Sequence, residues 1–463
     1  MSAIRPAGMT RLASLGMLLL ALTVAALLVE EPGITSLRPH AATKLVVALL
    51  ALSVVVYLLA VRLVMSRALP SRALWIVLAV GLLARAILLP APAYLSSDIY
   101  RYVWDGRVQQ HGINPYRYLP ADPSLSGLRD TSIFPLVNRA SYARTIYPPV
   151  AQMLFALVVR ISGTVQAMKL AMVGLELTGL YCMMRLLVMA GLPRERILIQ
   201  AWNPLVIWSF ACDGHVDGAA IGLIGLALLA RSHRRDGLAG GVLAAAALVK
   251  FLPLALAPAF ARGVPLWRPA LAGLVVVVVG YACYASAGRY ILGFLPGYSS
   301  EEGLSGGNGF WLLAGLAHLG RLPAWSGTAY IVAAGAGLAL LGLWITWGGQ
   351  RLPEERLRSM HRPADDVVLL CRNAAILAAA VTVAISPHYS WYFAWLALPC
   401  VVAPIPAVIW LSSAPVLLTL DPFNERFVWP SLVYAPAIVL AVIALRRRRS
   451  ARCMMAATSE GTC

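Results

Sequence analysis

Long apolar runs separated by short basic gaps dominate the chain. Runs at about 12–29, 43–64 and 73–90 each approach the ~20 residues that a helix needs to cross a bilayer. After a polar interruption at 91–146, further runs lie near 147–161, 166–190, 197–213, 215–231, 238–260, 268–287, 327–347, 367–385, 390–420 and 430–445. The run at 390–420 divides into two short helices. The pattern predicts an all-α polytopic membrane protein with about 11–14 transmembrane or re-entrant helices. A single integral-membrane domain over 1–463 is expected: three N-terminal spans (1–90), a long loop (91–146), a helical bundle (147–445) and a basic tail (446–463). The first run follows Arg5 and Arg11 as a signal peptide would, but its cleavage pattern is poor and another apolar run follows. It is expected to remain as a span. No internal repeat or low-complexity segment is visible.

Basic residues crowd the gaps, as at Arg62/Arg67/Arg72, Arg194/Arg196, Arg231/Arg234/Arg235, Arg262/Arg268, Arg351/Arg356/Arg358/Arg362 and Arg446–Arg449. Positive charge marks cytoplasmic loops, so these gaps are assigned inside and loop 91–146 outside. The alternation works only if 147–190 crosses once and 238–260 returns to its own side. Tyr147-Pro148-Pro149 suits the start of a short helix. Pro253 and Pro258 break 238–260. Re-entrant backbone is tolerated only where protein or a polar cavity covers it, so an internal cavity is expected.

Within the loop, Asp98 to Gln110 has helical spacing. Ile99, Tyr102, Val103 and Val108 form an apolar side, and Asp98, Arg101, Asp105 and Gln109 a polar stripe. Arg101 stands three and four positions from Asp98 and Asp105, where ion pairs form. The helix is expected to end at Gly112, with a turn at Asn114-Pro115. A helix of this kind lies in the interface with its Tyr and Trp in headgroups, or it carries chemistry; spacing alone allows both.

Composition narrows the class. Of 463 residues, 60% are hydrophobic and 13% charged, against about 25% charged in soluble proteins. A soluble enzyme, a nucleic-acid-binding module and a disordered scaffold are excluded. The net charge of +18 rests on 35 Arg and only three Lys (Lys44, Lys169, Lys250). Without a basic stripe carrying interleaved aromatics, this charge reads as topology, with no nucleic-acid partner. Of the seven cysteines, Cys182, Cys212, Cys283, Cys371 and Cys400 lie in or beside apolar runs, and Cys453 and Cys463 lie in the tail. No CxxC or Cys/His ligand spacing occurs.

Six fragments in order carry a resemblance: SSDIYRYVWDGRVQQHGINPYRY at 96–118, YPP at 147–149, WNPL at 202–205, GHVDG at 214–218, VKFLP at 249–253 and PHYSWYFAWL at 387–396. Together they resemble a polyprenol-phosphate-mannose-dependent mannosyltransferase-like family of the GT-C superfamily of membrane glycosyltransferases. The resemblance covers about 90–400. It implies a hexosyltransferase, with mannose moved from a polyprenyl-phosphate-linked sugar to a lipid or glycan acceptor at the outer face of a bacterial inner membrane. It also implies that the acid in the outer loop, here Asp98, takes the proton of the acceptor hydroxyl. The superfamily often has two adjacent acids, whereas Ser97 precedes Asp98 here. That departure removes support for a diacidic metal site; no metal ligand and no cofactor are assigned. The chain also has two more spans before the loop than the superfamily usually has.

Sugar transfer needs a carboxylate base as C1 develops positive character, cations for the leaving phosphate, and aromatic and hydrogen-bonding groups for the sugar. Arg101, Tyr102, Asp105, Asn114 and Tyr147 are the loop's candidates for donor or acceptor contacts, with Asp105 alternatively structural. In GHVDG, His215 and Asp217 lie where a span emerges, and ionisable groups at that depth are functional candidates; the alternative is a helix cap by Asp213 with a satisfied His215. Lys250, in an apolar run, either snorkels or faces the donor phosphate. His388, Tyr389, Trp391 and Tyr392 either form an aromatic belt or hold phosphate and sugar. The segment from Arg289 to Phe310 reads as an acceptor lid or an ordinary loop. Gly306-Gly307-Asn308-Gly309 lacks the context of a phosphate-cradling motif. Trp202-Asn203-Pro204 is assigned a structural kink, and the Arg446–Arg449 run a lipid contact. The alternative class is a lipid or solute transporter with a polar cavity on discontinuous helices, although no matching second half is visible.

Overall fold

In a bilayer every backbone N–H and C=O must be satisfied within the segment, so apolar runs fold as helices. The computed structural model describes residues 6–30, 39–348, 363–420 and 426–460, and no strand occurs among them. Of the basic gaps, Arg5 and Arg351/Arg356/Arg358/Arg362 lie outside the described residues. So does Cys463; the Arg448, Arg449 and Cys453 side chains are likewise outside the description.

The N-terminal helices α1 (Pro6–Glu30), α2 (Pro39–Ser66) and α3 (Ala73–Leu88) pack on one another. Helix α4 (Asp98–Gln110) crosses the long loop, with Gly112 in the left-handed region at φ +71° just after its end. Helix α5 (Pro149–Ile161) starts on the expected proline, and α6 (Val165–Met189) follows. Next come α7 (Asp217–Ser232), α8 (Asp236–Ala247) and α9 (Trp267–Ala282). A short helix α10 (Leu295–Glu301) precedes α11 (Ser326–Trp347), α12 (Pro363–Ile385) and α13 (Val428–Glu460).

Six helices are long and apolar enough to span a membrane among the described residues. Two bent pairs join them: Pro204–Cys212 with Asp217–Ser232, at 119°, and Trp267–Ala282 with Ala285–Glu301, at 85°. Five shorter apolar helices complete the set. The expected total of spanning or re-entrant elements is met only with these bent and short elements included. The protein is thus a polytopic all-helical membrane protein.

Breaks fall where the sequence placed Asn-Pro and Pro. The run at 197–213 is not one helix but Leu198–Ala201, Pro204–Ile207 and a wide turn at Trp208–Cys212. Asn203 Oδ1 accepts from the backbone of Leu205 and Val206, and its amide donates to Ser412. The kink is therefore structural, as assigned. The run at 238–260 divides into α8, a tight turn at Leu252–Leu256 and a short helix at Ala257–Ala261, with Lys250 in the gap after α8. The run at 390–420 forms four short pieces rather than two helices: Ser390–Leu396, Ala397–Cys400, Pro406–Leu411 and Ala414–Leu420.

A buried ion pair ties α3 to α6. Arg85 Nε and Nη2 each donate to Glu176 at 2.9 Å, while Nη1 donates to the carbonyls of Gly81 and Ala201. Gln200 donates to the same carboxylate at 3.2 Å. Such a fork satisfies both charges without water.

Helix α4 is packed within the protein rather than exposed along its polar side. Arg101 and Asp105, on its polar stripe, are 3% and 2% exposed. The stripe is covered because α5 packs directly on α4 through Gly106. A Cβ there would stand 2.5 Å from Val159 Cγ2 and 2.6 Å from the Phe155 carbonyl oxygen. Only glycine allows that approach.

Candidate active site

Asp98 is the first residue of α4, where the helix dipole favours a carboxylate. The chain leading to it is pinned from the bent pair. Asp213 Oδ1 accepts from the backbone N–H of Tyr94 at 2.8 Å and of Leu95 at 2.9 Å. Lys169 Nζ donates to the Ala91 carbonyl at 2.5 Å. Asp213 therefore holds the approach to Asp98 instead of capping a helix. The turn after it requires Gly214, whose φ is +63° and whose Cβ position is 2.3 Å from Ile99 Cδ1. The glycine of GHVDG lets that turn pass against α4.

The Asp98 carboxyl faces a cavity of about 350 Å³. Asn138 donates to Oδ1 at 2.6 Å. Among the described residues Oδ2 has no hydrogen-bond donor; His215 Nδ1 stands 3.9 Å from it. Burial pushes the Asp98 carboxyl above the usual carboxylate range, while the Asn138 hydrogen bond and the Lys250 charge pull the other way. The balance leaves it raised. A raised carboxyl is a stronger base once ionised.

Across the cavity, Lys250 donates to both oxygens of Asp217, at 2.7 and 3.0 Å, and its ammonium lies 3.5 Å from the centre of the Tyr392 ring. The Lys250 side chain lines the cavity. The broken backbone at 248–251 directs it there. Its charge is already matched by Asp217. Breaking such a largely buried pair from one side costs about 3–5 kcal/mol. Arg139 forms the other cationic edge. Its Nε donates to both oxygens of Glu301 at 3.0 Å. That pair is more open, and exposed pairs contribute only about 0.2–1 kcal/mol.

Aromatic rings complete the wall. His215 stacks on Trp391 with centroids 4.2 Å apart, and Trp391 stacks on Tyr389 at 4.7 Å. His215 is fully buried, and neither ring nitrogen has a hydrogen-bond partner among the described residues. Tyr102 and Tyr147 meet edge to face at 4.9 Å. Tyr298, on α10, shares a hydrogen bond of 2.8 Å with Tyr392. The segment expected to be a lid or a loop thus supplies one wall of the cavity.

Eight of the expected residues line this one cavity: Asp98, Tyr102, Tyr147, Asp217, Lys250, Tyr389, Trp391 and Tyr392. His215 lies against Trp391 behind it. Four do not reach it. Arg101 spends its donors on Asp105 at 2.8 Å and the Ala143 carbonyl at 3.2 Å. Asp105 also accepts from Gln152 at 2.9 Å. These two staple α4 to its surroundings and have no free face for phosphate. Asn114 donates to the Tyr284 carbonyl and Ser286 Oγ. His388 turns away to Glu302 at 2.9 Å, beside Arg426. Arg107 pairs with Asp130 at 2.7 Å, and Arg289 meets the Tyr290 hydroxyl.

Sequence reasoning missed Asn138, Arg139 and Tyr298. Asn138 and Arg139 sit in an irregular stretch without periodicity, and Arg139 has φ +53°. Tyr298 lay within the suspected lid without being singled out. Among the described residues no group of three or more His, Cys, Asp or Glu is placed to hold a metal ion. Of the cysteines described, Cys182, Cys283, Cys371 and Cys400 are free thiols.

Fold and site together define a polytopic helical membrane protein with a carboxylate-bearing polar cavity walled by tyrosines and ion-paired cations. The chain belongs to the alpha-(1->6)-mannopyranosyltransferase family: the model of that family's N-terminal domain matches residues 7–264, more than half of the 463. It is accordingly a membrane mannosyltransferase, in agreement with the resemblance of its motifs. No curated protein and no solved structure matches the chain. Nothing in the fold or the family supports the transporter alternative. The cavity draws on both sides of the matched boundary, because Tyr298, Tyr389, Trp391 and Tyr392 come from beyond residue 264.

Proposed function

We propose that this protein moves mannose from a polyprenyl-phosphate donor to a 6-hydroxyl of a mannose-bearing lipid or glycan, with Asp98 as general base. The acceptor oxygen forms a bond to C1 as the C1–O bond to phosphate breaks. The bonding pair stays on the phosphate oxygen, and the hydroxyl proton passes to Asp98 Oδ2. The observation that carries this reading is the Asp98 carboxyl itself: raised, facing the cavity, held through Oδ1 and open at Oδ2. The alpha-(1->6) linkage in the family's description supports the choice of hydroxyl.

A lipid-linked donor follows from where the reaction takes place. On this reading the 91–146 loop lies on the outer, periplasmic side of a bacterial inner membrane, where nucleotide sugars are absent; the basic gaps support that sidedness. The cavity rim includes Phe251, 39% exposed, followed by Leu254, 61% exposed. An apolar rim beside a polar cavity suits a prenyl chain attached to a sugar phosphate. Tyr389 and Trp391 give the sugar an aromatic wall, and Asp217 and Lys250 offer polar atoms for its hydroxyls.

The test is purified Asp98→Asn protein in liposomes with polyprenyl-phosphate mannose and an oligomannoside acceptor. Loss of a general base lowers the rate by about 10²–10⁴-fold, with the melting temperature of the protein retained. Wild-type rates from the folded variant would remove Asp98 from the chemistry.

A further inference from the structure

The cavity has two cationic edges, and each already carries a carboxylate. A lipid phosphate reaching either cation competes with the carboxylate there, because the two anions repel. Lys250 is the poor candidate. Asp217 is 5% exposed and sits in the first turn of α7, so stripping Lys250 from it would strand a buried charge. Glu301 differs on each point. Its side chain is 35% exposed at the last residue of α10, so water can take it over once released.

The Arg139 geometry also favours exchange. Both Glu301 oxygens meet the single Nε, whereas phosphate binds a guanidinium through two nitrogens side by side. Arg139 stands at a loop corner with φ +53°, a conformation that L residues hold at a cost and that recurs at ligand sites. Its neighbour Asn138 holds the Asp98 carboxylate. One two-residue corner thus faces both the base and the leaving group.

We propose that Arg139 exchanges Glu301 for the phosphate of the lipid-linked sugar, so that the Arg139–Glu301 pair is a gate that donor binding opens. The proposal rests on the polyprenyl-phosphate donor described above. Glu301 lies beside Glu302, which stays with His388, and Tyr298 stays with Tyr392. Release therefore frees the end of α10 without detaching it. When the prenyl phosphate leaves, Glu301 returns to Arg139.

The experiment is a donor titration with polyprenyl-phosphate mannose in proteoliposomes, comparing wild type, Glu301→Gln, Arg139→Gln and the double variant. Glu301→Gln removes the competitor and lowers the donor KM by about 1.5- to 5-fold; the acceptor KM is unchanged. Arg139→Gln raises the donor KM by about 10- to 100-fold. In the double variant the benefit of Glu301→Gln disappears, because on this proposal it acts through Arg139. An unchanged or higher donor KM for Glu301→Gln overturns the gate, as does an effect that persists without Arg139. If Arg139→Gln does not fold, Glu301→Gln alone decides. A wild-type protein that rejects polyprenyl-phosphate mannose but uses another mannose donor overturns the donor assignment and the gate with it. That failure appears in the wild type, whereas failure of the gate alone appears only in the variants.

Discussion

Asn138 and Asp98, 40 residues apart in sequence, share a hydrogen bond of 2.6 Å that fixes the carboxylate at the cavity. Because Asn138 donates to the ionised form, it holds down a pKa that burial raises. Replacing Asn138 with Leu removes the donor, so the Asp98 pKa rises further. A base works only when ionised, so the acid limb of the kcat/KM profile moves to higher pH. Activity recovers at alkaline pH, where Asp98 is ionised in both proteins. An acid limb that stays in place or moves down would show that Asn138 does not tune the base.

Asp217 and Lys250 hold one another beneath Tyr392. Removing only one charge strands the other, and Lys250→Met or Asp217→Asn is expected to lower stability by about 3–5 kcal/mol. The double variant should recover a large part of that loss. Thermal unfolding in detergent measures all three. Simple addition of the two single losses would mean that the charges are not coupled.

The Arg85–Glu176 fork is farther from the cavity and wholly buried. Glu176→Gln is expected to cost about 3–5 kcal/mol by leaving Arg85 unmatched. Arg85→Lys should also be damaging, since an ammonium cannot reproduce the fork. The readout is folded yield and melting temperature. A Glu176→Gln protein as stable as wild type would contradict this account of how α3 and α6 are joined.

Asn114 and Tyr389 belong to similar aromatic-rich motifs but occupy different places. Asn114 serves the backbone near Tyr284, whereas Tyr389 lines the cavity. Asn114→Ala should leave kcat/KM within about threefold of wild type at permissive temperature, since a lost surface-side hydrogen bond costs about 0.5–1.5 kcal/mol of stability. Tyr389→Ala should lower kcat/KM by tenfold or more, as an aromatic contact in a binding wall is lost. Equal effects in the two kinetic assays would refute this division.

Much of the fold was legible in the sequence because helix formation in a membrane is local. Apolar runs, prolines and glycines placed the spans, the start of α5, the break around Lys250 and the limits of α4. The wide breakup of 197–213 was less legible, since a wide turn at Trp208–Cys212 has no simple spacing signature. For the site, acidic and aromatic residues in polar interruptions were visible, and Asp98 was found that way. Spacing offered Arg101 two acids, Asp98 and Asp105. Packing against α5 and the Ala143 carbonyl gave it to Asp105 and left Asp98 open to the cavity.

The sequence by itself determined that the protein is a helical membrane protein with a chemically loaded loop, because each helix satisfies its own backbone and each apolar run records its own environment. Only the tertiary structure decided which polar groups meet. Lys250 finds Asp217 across 33 residues, and Arg139 finds Glu301 across 162. Such pairings depend on how bent helices close around a cavity, and no short-range pattern encodes them. They also turn apparently free cations into matched ones, which changes what a phosphate must do to bind.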